Sequence, residues 1–246
     1  MKVERFIFGP FETNCYVVSD EQHILLVDPA CSNEYERQQL KRYIENQKST
    51  IKNQKSKIKN HQLSIIATHG HLDHLWGAKW ATEQWHTPVL MHEADIPMAK
   101  AMQQQYNLFG IRATAEDFPI EELKSKIKNQ KSQKIVPFKG KEIKNQKSKI
   151  KNQKSQISNF QLLETPGHTP GSICLYFQKS KIENQKSPIL LSGDTLFCMG
   201  YGRTDLPGGN MGQLINSLEH LFTLPADTIV YPGHGAPTTI AAEKRY

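Results

Sequence analysis

Three histidines and an aspartate fall within T-H-G-H-L-D-H, Thr68 to His74, directly after the apolar run 63–67. Imidazole nitrogens and carboxylate oxygens are the borderline ligands that zinc and similar divalent ions prefer. More side chains of these types come later, each straight after an apolar run and inside a glycine-containing turn: His168 in T-P-G-H-T-P-G-S, Asp194 in L-S-G-D-T and His234 in Y-P-G-H-G. His69, His71, Asp73, His74, His168, Asp194 and His234 are too many for one tetrahedral site and suit two metals with a shared ligand. A water between two such ions loses a proton near neutral pH, its pKa falling from ~15.7 towards ~7, and the hydroxide would attack an electrophilic centre without a Ser or Cys nucleophile. Asp73 and Asp194, which offset the cationic charge and help orient that hydroxide, are the catalytic candidates.

Such residues converge only if strand ends bring them to one rim. The pattern predicts strands at 3–8, 15–19 and 24–27, a helix over 33–44 with Ser32 as N-cap, and a buried strand at 63–67. A helix over 75–85, a strand at 89–92 and a helix over 93–106 follow. A second strand group is expected at 134–138, 160–164, 172–177 and 189–192, then a helix over 211–222 and a strand at 228–231. Two strand groups interleaved with helices predict an α/β fold of two sheets with helices outside. Asp28, followed by Pro29, reads equally well as a turn former and as a partner orienting a ligand histidine.

T-H-G-H-L-D-H, T-P-G-H-T-P-G-S, S-G-D-T-L-F and Y-P-G-H-G, in this order, resemble the metallo-β-lactamase superfamily, specifically its glyoxalase II-like hydrolases. The resemblance implies a four-layer αββα sandwich and a dinuclear centre at the sheet rim. It implies two divalent ions per chain, zinc first, with iron and manganese as the other metals. His69, His71 and His168 would hold one metal, Asp73, His74 and His234 the other, and Asp194 would bridge. The implied substrate is a small thioester of the hydroxyacylglutathione type, with Arg203 as a candidate for a substrate carboxylate and Tyr201 as a pocket wall. Only residues 235–246 follow His234, whereas glyoxalase II enzymes carry a C-terminal helical region that helps bind glutathione, so the resemblance leaves the thiol open. Persulfide dioxygenases share the motifs and G-R-T-D, Gly202 to Asp205, and are the alternative; their single iron would map to His69, His168 and Asp194. Asn210 stands where related sequences often have Asp. Phe109, Trp76 and Trp80 read as packing residues, and His23, His61, His86, His92 and His220 as surface or satisfied core residues.

The net charge of +7 suggests an anionic partner until its location is traced. N-Q-K-S occurs six times, starting at Asn46, Asn53, Asn129, Asn145, Asn152 and Asn184. The segments 46–60, 124–134, 139–156 and 178–187 hold 20 of the 31 basic residues and, of the 24 acidic ones, only Glu142 and Glu183. The remainder is acidic, which counts against the minor alternative of a nucleic-acid processing enzyme. With one apolar residue per seven, the repeat cannot form a coiled-coil seam and reads as solvated insertions into a single domain spanning 1–246. No apolar run is long enough for a membrane span, and no secretory segment stands at Met1 to Pro10, so a cytoplasmic enzyme is expected. Cys15, Cys31, Cys174 and Cys198, widely spaced, read as reduced, buried thiols.

Overall fold

The computed structural model describes residues 1–20, 23–53, 62–123, 160–178 and 187–244. The first half forms a six-stranded sheet in the order β1 (Lys2–Phe8), β2 (Thr13–Ser19), β3 (His23–Val27), β4 (Gln62–Ile66), β5 (Val89–Met91) and β6 (Ile120–Glu122). β1 to β3 pair antiparallel, and β3 to β6 pair parallel. The second half contributes β7 (Gln161–Glu164), β8 (Ile173–Phe177), β9 (Ile189–Gly193), the short hairpin β10 (Leu196–Phe197) and β11 (Gly200–Tyr201), β12 (Ile229–Pro232) and β13 (Thr238–Thr239). Its sheet runs β13-β12-β9-β8-β7, with β9 and β12 parallel.

Side-chain alternation explains why the sheets stack. Leu25 and Val27 of β3, Tyr16 and Val18 of β2, and Leu175, Phe177, Ile189 and Leu191 of the second sheet form one buried core between the sheets. The opposite faces are also apolar. Ile24, Leu26 and Ile65 pack under α1 (Glu34–Asn53), α2 (Leu72–Leu75) and α3 (Ala78–Trp85), through Leu40, Ile44, Leu75, Ala78 and Ala81. Cys174, Tyr176, Leu190 and Val230 pack under α6 (Met211–Leu221) and α7 (Ile240–Glu243). Strands buried on both faces need helices on both outer sides, which is the expected αββα sandwich. No helix among the described residues is long and apolar enough to cross a membrane.

Several boundaries differ from the sequence reading, each for a local reason. Asn33 rather than Ser32 caps α1, its Oδ1 accepting the Glu36 N–H at 3.0 Å, while Glu36 accepts from the backbone of Ser32 at 2.6 Å. α1 then runs past the expected end at residue 44 to Asn53, through the first copy of the repeat. The helix expected over 75–85 begins earlier, with α2 inside the histidine cluster, and breaks at Gly77, whose N–H bonds Pro29 O at 2.7 Å and where a Cβ would strike Cys31 Sγ. The span 93–106 is a 3-10 turn (Glu93–Asp95), α4 (Ile96–Lys100) and α5 (Met102–Leu108). Asn210 caps α6, its Oδ1 accepting from Gln213 N at 3.0 Å, a task Asn and Asp perform alike. Cys198 is exposed, contrary to expectation; the other three cysteines are buried and all four are free. The expected strand at 134–138, the proposed insertions at 124–134 and 139–156, and residues 54–60 and 179–186 of the other two lie outside the described residues.

Candidate metal centre

The ends of β3, β4, β7, β9 and β12 open on one rim, and each is followed by a ligand-type residue: Asp28, His69, His168, Asp194 and His234. α2 adds Asp73 and His74 from its own single turn. All seven side chains proposed as ligands are brought together there.

His69 Nε2 lies 3.1 Å from His71 Nδ1, which lies 2.9 Å from His168 Nε2. The three atoms form a buried group compatible with a metal ion. Lone pairs of neutral imidazoles that close repel unless a proton or a cation stands among them. Beside it, His234 Nε2 is 3.2 Å from Asp73 Oδ2 and 3.4 Å from His74 Nε2, a second, partly buried group compatible with a metal ion. Asp194 lies between the two. Its Oδ1 is 3.2 Å from His74 Nε2, and its Oδ2 is 3.6 Å from His168 Nε2 and 3.5 Å from His234 Nε2. That Oδ1 is buried and has no hydrogen bond, an acceptor left for a cation. Gly233 is required beside it, because a Cβ there would occupy the place next to Asp194 Oδ1.

The outward ring nitrogens face oxygen. His74 Nδ1 is 2.9 Å from Asp28 Oδ2, His168 Nδ1 2.6 Å from Arg203 O, His234 Nδ1 3.0 Å from Phe11 O, and His69 Nδ1 3.0 Å from Thr68 Oγ1. Thr68 Oγ1 itself donates to Asp28 at 2.8 Å, so it can accept from His69. A proton held on each Nδ1 leaves the Nε2 lone pair pointing into the centre, the tautomer a metal needs. At Asp28, a φ of 52° turns the chain at the end of β3, and its carboxylate lies 2.9 Å from His74 Nδ1.

Two supports had no signal in the sequence. Asp95, fully buried, accepts from Gly70 N at 2.8 Å, Thr169 Oγ1 at 2.7 Å and Gly171 N at 2.6 Å, tying the His69–His71 loop to the His168 loop. Gln105 accepts from Leu72 N at 2.9 Å and donates to Gly70 O at 2.9 Å. Thr13 was also missed; its hydroxyl donates to Asp73 Oδ2 at 2.8 Å from the first turn of β2. These contacts span 25 to 76 residues of chain, beyond the reach of local pattern.

Charge divides the centre. Burial pushes the His69 imidazolium well down and His71 to about 4, their neighbours there being chiefly other imidazoles. Burial opposes charge on His74 and His234 too, but Asp73 and Asp194 overcome it and push both up. Burial likewise opposes ionisation of Asp73 and Asp194, and His74 and His234 reverse that, holding both carboxyls below the usual range. The first group stays neutral, whereas the second pairs two ionised carboxylates with two imidazoles held towards their protonated forms, protons that a divalent ion would displace on binding.

A cavity of about 350 Å3 opens over these residues, walled by Phe11, Phe109, Phe197, Tyr201 and Leu206. Tyr201 stands in its wall. Arg203 also reaches it, but its guanidinium is held bidentate by Asp205 at 2.6 Å, and its link to the centre is its carbonyl. Phe109, expected to pack, is 39% exposed and forms cavity wall; Trp76 does pack, against the first core. Of the other histidines, His23 is 3.4 Å from Asp20, His92 caps the 3-10 turn, and His61 is outside the described residues.

This arrangement, a metal-ligating rim on an αββα sandwich, coincides with a family match: the metallo-beta-lactamase superfamily model covers residues 8–234. The chain belongs to that superfamily. It is 30% identical to the "Probable metallo-hydrolase YqgX" of Bacillus subtilis strain 168, over 99% of this chain and 95% of the relative. It is 29% identical to the "Hydroxyacylglutathione hydrolase GloC" of Haemophilus influenzae, over 100% of this chain and 96% of the relative. Among solved structures it is similar to TTHA1623 in a di-iron-bound form, with 26% identity, a TM-score of 0.66, and coverage of 98% of this chain and 97% of the other. Both relatives are named as hydrolases, the first as a metallo-hydrolase.

Proposed function

We propose that the protein is a dinuclear metal-dependent hydrolase of small thioesters. The observation that carries this reading is Asp194, set with one oxygen towards His74 and the other near both His168 and His234. His69, His71 and His168 would hold one ion, Asp73, His74 and His234 the second, with Asp194 shared. Bound there, two divalent ions supply Lewis acidity that lowers the pKa of water to ~7 and polarises a carbonyl. The chain's own contribution is to hold the ring protons on Nδ1 of His69, His74, His168 and His234, and to offset cationic charge with Asp73 and Asp194. The apolar wall of Phe11, Phe109, Phe197 and Leu206 excludes water from the reacting carbonyl. The likeness to a hydroxyacylglutathione hydrolase supports a thioester as the substrate class. Zinc suits the donor set, and the di-iron-bound neighbour supports iron as the competing metal.

The rival reading, a persulfide dioxygenase with one iron on His69, His168 and Asp194, leaves Asp73, His74 and His234 converging on nothing. Elemental analysis of purified protein should approach two divalent ions per chain, and a lactoyl glutathione thioester should release thiol without oxygen uptake. One iron per chain with oxygen uptake on glutathione persulfide, and no thioester cleavage, would replace this reading with its rival. His234→Ala should lose the second ion and keep the first, whereas Asp194→Ala should weaken both.

A further inference from the structure

A second cavity, about 560 Å3, opens beside the metal centre between α4, α5 and the turn 206–208. It shares His71, Phe109 and Leu206 with the cavity over the metal centre, so the two are adjacent and have a common wall. Pro97, Met98, Ala101 and Leu108 make up much of its remaining wall, and no Lys, Arg, Asp or Glu is among its described lining residues. Of its two glutamines, Gln105 has its amide engaged with Leu72 N, Gly70 O and Met98 O. At the mouth, Leu108 and Phe109 are 61% and 39% exposed, large apolar groups left facing solvent beside a reactive centre. An arm bearing carboxylates or an ammonium finds no ionic partner here, whereas an alkyl or aryl arm exchanges water for apolar wall.

We infer that this pocket takes an uncharged apolar arm of the substrate, alongside His71, so that the preferred thioesters carry an aliphatic or aromatic group. The inference rests on the hydrolase reading for the word substrate, and on the pocket alone for the apolar arm. Each methylene fully buried there raises kcat/KM about fourfold.

Two measurements on the metal-loaded full chain test it. With methionine methyls labelled and Met98 assigned through Met98→Leu, 1-hexanol should shift the Met98 resonance saturably. Leu108→Glu should weaken that binding at least about fivefold, since a carboxylate then lines the pocket, while Ile215→Glu, on the exposed face of α6, should not. In parallel, kcat/KM should rise with chain length either for acyl-N-acetylcysteamine thioesters from acetyl to octanoyl or for S-alkyl thioacetates from butyl to octyl; the rising series identifies the arm. A Met98 resonance that hexanol leaves unmoved overturns the pocket, and so does flat kcat/KM in both series with active enzyme. If neither series is cleaved while hexanol binds saturably, the apolar pocket stands and the thioester reading falls.

Discussion

At the scale of single residues, Asp28 shows how a backbone constraint becomes a property of the centre. A left-handed φ at a residue other than glycine costs about 1–2 kcal/mol, and here it places a carboxylate within 2.9 Å of His74 Nδ1. In Asp28→Asn the amide can still serve Thr68, but presents a donor where His74 needs an acceptor. Affinity for the second ion should fall about 10- to 100-fold, measured by chelator competition; unchanged affinity would mean that Asp28 acts only as a turn. The thiols make a second prediction. Burial pushes Cys31 to about 12, Cys174 to about 11 and Cys15 well above the usual range, while Cys198 is exposed. Only the thiolate reacts, so below pH 9 one thiol of the native chain should titrate with a disulfide reagent, faster as pH rises, and four should titrate in denaturant. Two or more fast thiols in native protein would contradict the burial.

At the scale of elements, the first metal group is a product of two loops held by a third. The loop after β4 carries His69 and His71, the loop after β7 carries His168, and Asp95 in the 3-10 turn accepts hydrogen bonds from both. The helix that apolar spacing alone would have continued is interrupted at Ala101, which ends α4 and opens α5. Asp95→Ala leaves two buried backbone N–H groups without an acceptor, which should destabilise the metal-free protein by about 2–5 kcal/mol in urea unfolding. With metal present, the His69–His71–His168 group should bind less tightly than the Asp73–His74–His234 group. Equal weakening of both would show that Asp95 holds the whole rim rather than this one junction.

At the scale of the molecule, net charge and centre belong to different parts of the chain. Every proposed ligand lies outside the lysine-rich segments, and Leu123 and Phe160, which flank the longest span between described residues, are both buried in the central core. Loop closure entropy changes by only ≈ 0.6 kcal/mol for each doubling of length. A variant with 124–159 and 179–186 replaced by short polar linkers should therefore unfold cooperatively within about 1–2 kcal/mol of the parent and retain its metals, although its net charge changes sign. Loss of metal binding from a folded variant would give those segments a part in the centre. The first segment is different: α1 runs through residues 46–53, so shortening there must begin after Asn53.

The proposed ligands were legible from sequence because His69, His168, Asp194 and His234 each follow a strand in a glycine-containing turn, and Asp73 and His74 lie in the short helix directly after the first of these turns, so local pattern marks the residues and parallel strands deliver the strand ends to one rim. Short, largely apolar runs made the two sheets legible in the same way, because strands buried on both faces leave few positions for charged residues. Short elements escaped, since β10, β11 and β13 have two residues each and form only when a neighbour supplies their hydrogen bonds. The support around the ligands escaped for a related reason. Thr13, Asp95 and Gln105 reach their partners across 60, 74 and 35 residues of chain, and nothing in their own neighbourhoods distinguishes them from ordinary polar residues. Nor could composition reveal that Phe109 and Leu108 line an open pocket instead of the core, because apolar side chains look alike until packing decides which lack a neighbour. By itself the sequence determined which side chains of donor type are present and the superfamily motifs that carry them; tertiary structure alone decided their orientation and the shape of the space beside them, because both depend on contacts between distant parts of the chain.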